Sequence, residues 1–155
     1  MAILPEEEFI THLTPSSRLL GLDVGTKTIG VAVGSALGGF ASPVQVIARR
    51  KIADDARALG AIISEYQASA LVVGWPLAAD GTPGPKCQSV RDVMLEILKF
   101  LPDLPLVFYD ERFSTKRAEQ FMIGTVDMSR KKRGEIVDKM AAQIILQDFL
   151  GRLAD

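Results

Sequence analysis

Hydrophobic positions alternate at the start of this chain and switch to a helical period further on. The run Arg18-Leu-Leu-Gly-Leu-Asp-Val24 predicts a strand, and Thr28-Ile-Gly-Val-Ala-Val33 predicts a second. Only Gly25-Thr26-Lys27 joins them, and so short a connection makes the pair an antiparallel hairpin. Residues 40–48 supply a third strand, which Pro43 pushes toward an edge or a bend. From Lys51 onward Ile52, Ala56, Leu59, Ile62, Ile63 and Tyr66 fall at helical spacing, with Asp54, Asp55, Arg57 and Glu65 largely off that stripe. Residues 69–74 form a short buried strand, and a turn-rich segment follows over 75–85. Cys87, Val90, Met94, Ile97, Leu98 and Leu101 trace a second helical stripe. Leu104 to Tyr109 is a buried strand running into Asp110-Glu111-Arg112, and a short helix is expected around 115–123. A loop containing Gly124 and Gly134 then leads to a last helix over about 135–152.

Three strands followed by α, β, α, β, α, α imply parallel strands with helical crossovers after an antiparallel start. The economical solution is an α/β fold, a mixed five-stranded sheet flanked by helices. With 155 residues, 48% hydrophobic and 24% charged, one globular domain is expected: residues 1–17 as an N-terminal extension and 18–155 as a single domain. One cysteine, Cys87, excludes a disulfide framework and a cysteine-cluster metal site. One histidine, His12, argues against a zinc site built on imidazoles and against a Ser-His-Asp triad. Any catalysis must therefore run mainly on carboxylates, lysines and arginines. The start MAILPEEEFITHL lacks the basic and long apolar regions of a signal peptide, and no apolar run approaches the ~20 residues of a membrane span. A cytoplasmic protein with no membrane partner is expected.

The acids carry most of the information. Asp23 interrupts an apolar strand and shares a face with Leu19 and Gly21. A carboxylate there costs free energy unless it is paired, hydrogen-bonded or bound to metal. Either it caps the turn, paired with Lys27, or it is directed at a metal or phosphate. Asp110 and Glu111 stand at the end of a parallel strand, the edge where open α/β sheets bind ligands. Alternation sends the two to opposite faces, and Glu111 is the candidate. Asp138 lines up with Ala141, Ala142, Ile145 and Phe149 on the inner stripe of the last helix, as a buried ion pair or as a site residue. Three such acids without imidazole or thiolate clusters point to a hard cation, Mg²⁺ or Mn²⁺, held by oxygen. Such a site suits phosphodiester hydrolysis.

The net charge of −1 hides an asymmetry, because residues 112–133 carry seven basic and two acidic side chains. The run Arg130, Lys131, Lys132, Arg133 is expected in a loop, either simply solvated or clamping a phosphate backbone. Asp23-Val-Gly-Thr-Lys27 also resembles the first phosphate loop of actin-like ATPases and sugar kinases. Those proteins close two domains around a nucleotide, and this chain has no room for the second, so nucleotide hydrolysis ranks below nuclease activity. Trp75, in the Pro/Gly-rich segment, is either a stacking surface for a base or a packing residue.

Four segments together resemble the YqgF family of bacterial RNase H-like proteins. They are Leu20-Gly-Leu-Asp-Val-Gly-Thr-Lys-Thr-Ile-Gly-Val-Ala-Val33, Val72-Val-Gly-Trp-Pro-Leu77 with Asp80-Gly-Thr and Gly84-Pro85, Asp110-Glu-Arg-Phe-Ser-Thr115, and Asp138-Lys-Met-Ala-Ala-Gln-Ile-Ile-Leu-Gln147. The resemblance covers about residues 18–150 and implies an RNase H-like fold. It implies a Mg²⁺ or Mn²⁺ site on Asp23, Glu111 and Asp138. Lys27, Arg112, Thr115, Arg130, Lys131, Lys132, Arg133 and Lys139 are then the candidates for binding nucleic acid. The implied activity is endonucleolytic cleavage of structured RNA, maturing the 5′ end of pre-16S rRNA, with the ribosome or its precursors as further partners. Resolution of Holliday junctions in DNA is the alternative, and a non-catalytic nucleic-acid-binding module is the third. Trp75 stands where leucine is more usual and Phe113-Ser114 where Leu-Thr is common, departures that bear on substrate contacts and spare the acids.

Overall fold

The computed structural model describes residues 3–78, 80–110 and 130–153, with the side chains of the last segment described from residue 140 onward. In chain order the elements are α1 (Glu6–Thr11), β1 (Arg18–Val24), β2 (Thr28–Ser35), β3 (Ala41–Ala48), α2 (Ile52–Tyr66), β4 (Ala70–Trp75), α3 (Pro85–Leu98), β5 (Leu106–Asp110) and α4 (Arg130–Leu153). The five strands form one sheet in the order β3-β2-β1-β4-β5. β1, β2 and β3 pair antiparallel, whereas β1, β4 and β5 run parallel, so the expected mixed sheet is what forms. The hairpin turn closes through its backbone, Gly25 N–H donating to the Thr28 carbonyl at 2.8 Å.

Pro43 lies on the outermost strand, where a missing N–H breaks no interior ladder. The β2–β3 register slips there, from Val31 opposite Gln45 to Ala32 opposite Pro43, leaving Val44 as the extra residue of a bulge. At the other edge Leu4 N–H donates to the Leu106 carbonyl at 2.8 Å, and Ile3 bridges Leu106. Both edges are thereby blunted against further strand pairing.

Alternation divides the sheet between two cores. Leu20, Leu22, Ile29, Val31, Leu71, Val73 and Leu106 face α2 and α3. Leu19, Ala32, Ala70, Val72, Val107 and Tyr109 face α4, where Ala142, Ile145, Leu146, Phe149 and Leu150 meet them. Leu4, Phe9 and Leu13 pack on this second face, whereas Ile3 packs against the first core. Phe9 is fully buried, its ring set edge-on to Phe149 at 5.6 Å. The three glutamates Glu6–Glu8 occupy the first turn of α1, the end of a helix where negative charge is favourable.

Two expectations need correction. The last helix already includes Arg130, so Arg130, Lys131, Lys132 and Arg133 have helical backbone where a loop was expected. Lys and Arg are good helix formers, and the ~1 kcal/mol cost of Gly134 is small beside the packing of the helix's apolar C-terminal half. Asp55, read as lying off the inner stripe, is 1% exposed. It is buried because it accepts from Arg49 and from the backbone of Arg50. The helix expected at 115–123 and the loop at Gly124 lie outside the described residues.

Candidate functional site

The parallel strands β1, β4 and β5 end on the same side of the sheet. Leu22 pairs with Val73 and Val73 with Phe108, so the residues that follow, Asp23, Gly74 and Tyr109, continue at one level across that edge. Two strand spacings, about 10 Å, separate β1 from β5. Asp23 is half-buried, next to last in β1 and opposite Gly30 of β2. By alternation it follows Leu19 and Gly21 onto the α4 face.

The approach of α4 to that face depends on Gly21 and Gly34. A Cβ on Gly21 would lie 2.7 Å from the Leu146 Cβ and 2.9 Å from the Ala142 carbonyl oxygen. On Gly34 it would lie 2.7 Å from Leu150 Cδ1. Gly34 pairs with Leu19, two residues before Gly21. The helix contacts therefore step back from 150 through 146 to 142 as β1 advances from 19 to 21, and α4 runs antiparallel to β1. Position 138 is one further turn back, at the level of Asp23, since a helical turn of ~5.4 Å nearly matches two strand residues at ~3.3 Å each.

On β5, Val107 and Tyr109 face α4, whereas Leu106 and Phe108 face the other core and the exposed Asp110 follows their phase. Glu111, Arg112 and Thr115 lie outside the described residues. So do the side chains of Arg130, Lys131, Lys132, Arg133, Asp138 and Lys139, whose backbone belongs to α4. Lys27 is exposed in the hairpin turn, and its carbonyl accepts from Arg49 N–H at 2.9 Å. Among the described residues no three His, Cys, Asp or Glu side chains converge on a metal position. Cys87 is buried in the packing of α3, and His12 caps the C-terminal end of α1.

Tyr109 has its phenol pushed above the ordinary 10.0, chiefly by burial, with the Arg152 guanidinium acting in the opposite sense. Arg152 is itself raised, first by its hydrogen bond to Tyr109 and then by Glu6. Its guanidinium carbon stands 5.6 Å from the Tyr109 ring centroid, and its Nη2 is 3.2 Å from Glu6 Oε1. These contacts tie the C-terminal end of α4 to α1 and β5.

A second set of residues escaped the sequence reading. On the α2/α3 side of the same edge a cleft of about 480 Å³ opens, lined by Asp23 itself, Val24, Thr26, Arg49, Lys86 and Ser89 among others. Arg49 forms its wall: Nε donates to Asp55 at 2.9 Å and Nη1 to the Gly25 carbonyl at 2.8 Å. Pro85 in the first turn of α3 marks the helix start and could have drawn attention to Lys86 beside it. Trp75 ends β4 half-buried, with its ring 4.5 Å from that of Phe108, so at least one of its faces serves packing.

Comparison with known proteins adds three findings. The family model described as "RuvX: Holliday junction resolvase" matches residues 17–152. A protein of Phenylobacterium zucineum (strain HLK1) named "Putative pre-16S rRNA nuclease" is 46% identical over 153 residues, covering 99% of this chain and 98% of its own. One of the same name from Caulobacter vibrioides (strain NA1000 / CB15N) is 44% identical with the same coverage. Among solved structures, a fowlpox virus resolvase in complex with Holliday junction DNA superposes with a TM-score of 0.53 at 12% identity, covering 89% of this chain and 99% of that one. The shared architecture is the RNase H-like fold.

Proposed function

We propose, because this chain belongs to the RuvX family, that it is a metal-dependent endonuclease that cleaves structured RNA and matures the 5′ end of pre-16S rRNA during ribosome biogenesis. The observation that carries the reading is the position of Asp23. It is half-buried at the carboxyl edge of the sheet, on the face against which α4 packs, at the level of helix position 138. Glu111 enters as the acid that the sequence's period-2 alternation separates from Asp110. Asp23, Glu111 and Asp138 then hold Mg²⁺ or Mn²⁺, the cations an all-carboxylate donor set favours. When bound, the cation supplies an activated water and charge neutralisation at the phosphate.

The remaining residues bind the substrate. Lys27 in the hairpin turn, Arg112, Thr115 and Lys139 contact phosphates near the cut, and Arg130, Lys131, Lys132 and Arg133 add charge at the start of α4. Contacts of this kind give affinity and register without reading base sequence. No helix among the described residues is long and apolar enough to cross a membrane, and a pre-rRNA substrate sets the place of action in the cytoplasm.

RNA is favoured because the full-length relatives at 44–46% identity bear the pre-16S rRNA nuclease name. The family model's description favours a second reading, resolution of Holliday junctions in DNA. Side-by-side cleavage of a precursor 16S fragment and a four-way junction separates them. Asp23→Asn is expected to abolish Mn²⁺-dependent cleavage while leaving thermal stability nearly intact, and full activity in that variant overturns the assignment.

A further inference from the structure

The cleft on the α2/α3 side of the carboxyl edge has a chemistry that phosphate contacts alone do not need. Its volume, about 480 Å³, falls within the ~300–1,000 Å³ of small-ligand sites. Val24, Val90 and Val93 give it an apolar floor, while Lys86, Ser89 and Arg49 give it a polar rim. Arg49 is already held by Asp55 and the Gly25 carbonyl, so it is a fixed wall with its position set in advance. Lys86 is exposed in the first turn of the 14-residue α3 and forms no ion pair among the described residues. Asp23 lines the cleft too, so its mouth is continuous with the edge proposed for catalysis.

We infer that this cleft receives one unpaired nucleotide of the bound strand, next to the phosphate that is cut. The base lies on the valine floor, and its phosphate meets Lys86. An apolar floor is of no use to a phosphate and cannot reach a base that is still stacked in a duplex. It suits a base already out of the stack, whose flat apolar face can be buried while its edge meets the polar rim. The inference rests on the nuclease reading above, since it supplies the strand, and it makes an unpaired position beside the cut part of the recognised substrate.

The test uses the full chain in Mg²⁺ buffer. Calorimetric titration with a nucleoside 5′-monophosphate is expected to show binding, and inorganic phosphate to bind at least tenfold more weakly. Lys86→Ala should weaken the nucleotide by about tenfold, the scale of one charge-assisted contact. Ser89→Trp fills the cleft from an exposed position, so folding is checked by its melting temperature. It should remove nucleotide binding and raise KM for the precursor RNA by a larger factor than it lowers kcat. A single-stranded RNA oligomer should compete with the mononucleotide, and a blunt duplex should not. Equal binding of phosphate and nucleotide overturns the inference, as does failure of the oligomer to compete, which would mark a free-nucleotide site. If both variants keep wild-type binding and KM while Asp23→Asn is inactive, the cleft assignment falls and the nuclease stands. If Asp23→Asn stays active, the nuclease reading falls, and with it the strand that the cleft is meant to hold.

Discussion

Gly21 of β1 lies directly beneath Leu146 of α4, with no room for even a methyl group between them: a Cβ on Gly21 would sit 2.7 Å from the Leu146 Cβ. The contact sets the height of α4 over the sheet, and through the helix it sets the height of position 138 over Asp23.

Gly21→Ala should therefore act at two levels. Its methyl would also meet the Ala142 carbonyl oxygen at 2.9 Å, and backbone cannot swing aside as a flexible side chain can. Overpacking of this kind costs about 1–3 kcal/mol, measurable as a lower urea midpoint at unchanged slope. Cleavage should fall by more than the small loss of folded protein explains, because α4 is lifted at the level where the proposed metal-binding acids are to meet. A variant as stable and as active as wild type would show that the helix height is not critical.

Asp55 and Arg49 form a buried pair behind the hairpin turn, with side-chain exposures of 1% and 16%. Asp55→Ala strands the guanidinium and the Arg50 N–H, which donates to the same carboxylate at 2.8 Å. Breaking such a pair from one side costs about 3 kcal/mol. Asp55→Asn keeps an acceptor and should lose less. Thermal melts of the two variants check the order, and equal melting of both with wild type would refute it.

Tyr109 makes stability sensitive to alkali. Burial raises its phenol above the ordinary 10.0, so the folded state resists ionisation that the unfolded chain undergoes freely. The contribution is complete below that ordinary value and is lost as pH rises through the folded one. The difference in melting temperature between wild type and Tyr109→Phe should be constant up to about pH 9 and change above it, with wild type losing stability that the variant keeps. A constant difference up to about pH 11 would contradict this.

The strands were legible in the chain because side chains alternate across a sheet with period 2. That rule places Asp23 with Leu19 and Gly21, and it separates Asp110 from its neighbour. The short Gly25-Thr26-Lys27 connection marks the hairpin, and Pro43 marks the edge strand. The buried role of Asp55 was not legible, since one carboxylate near the start of an amphipathic helix looks like any first-turn acid until Arg49 is seen beside it. Phe9 is similar: a lone aromatic in residues 1–17 has no periodic partners, and its burial comes from Phe149, at the far end of the chain.

By itself the sequence determined the five strands, the helices α2 and α3 and the faces these elements turn to the core, because these follow from local periodicity and residue type. The tertiary structure alone decided how closely α4 approaches β1 and where Arg49 and Lys86 meet across a cleft. Those relations join residues dozens of positions apart, and their free energy comes from shape and charge complementarity between surfaces that no single segment carries.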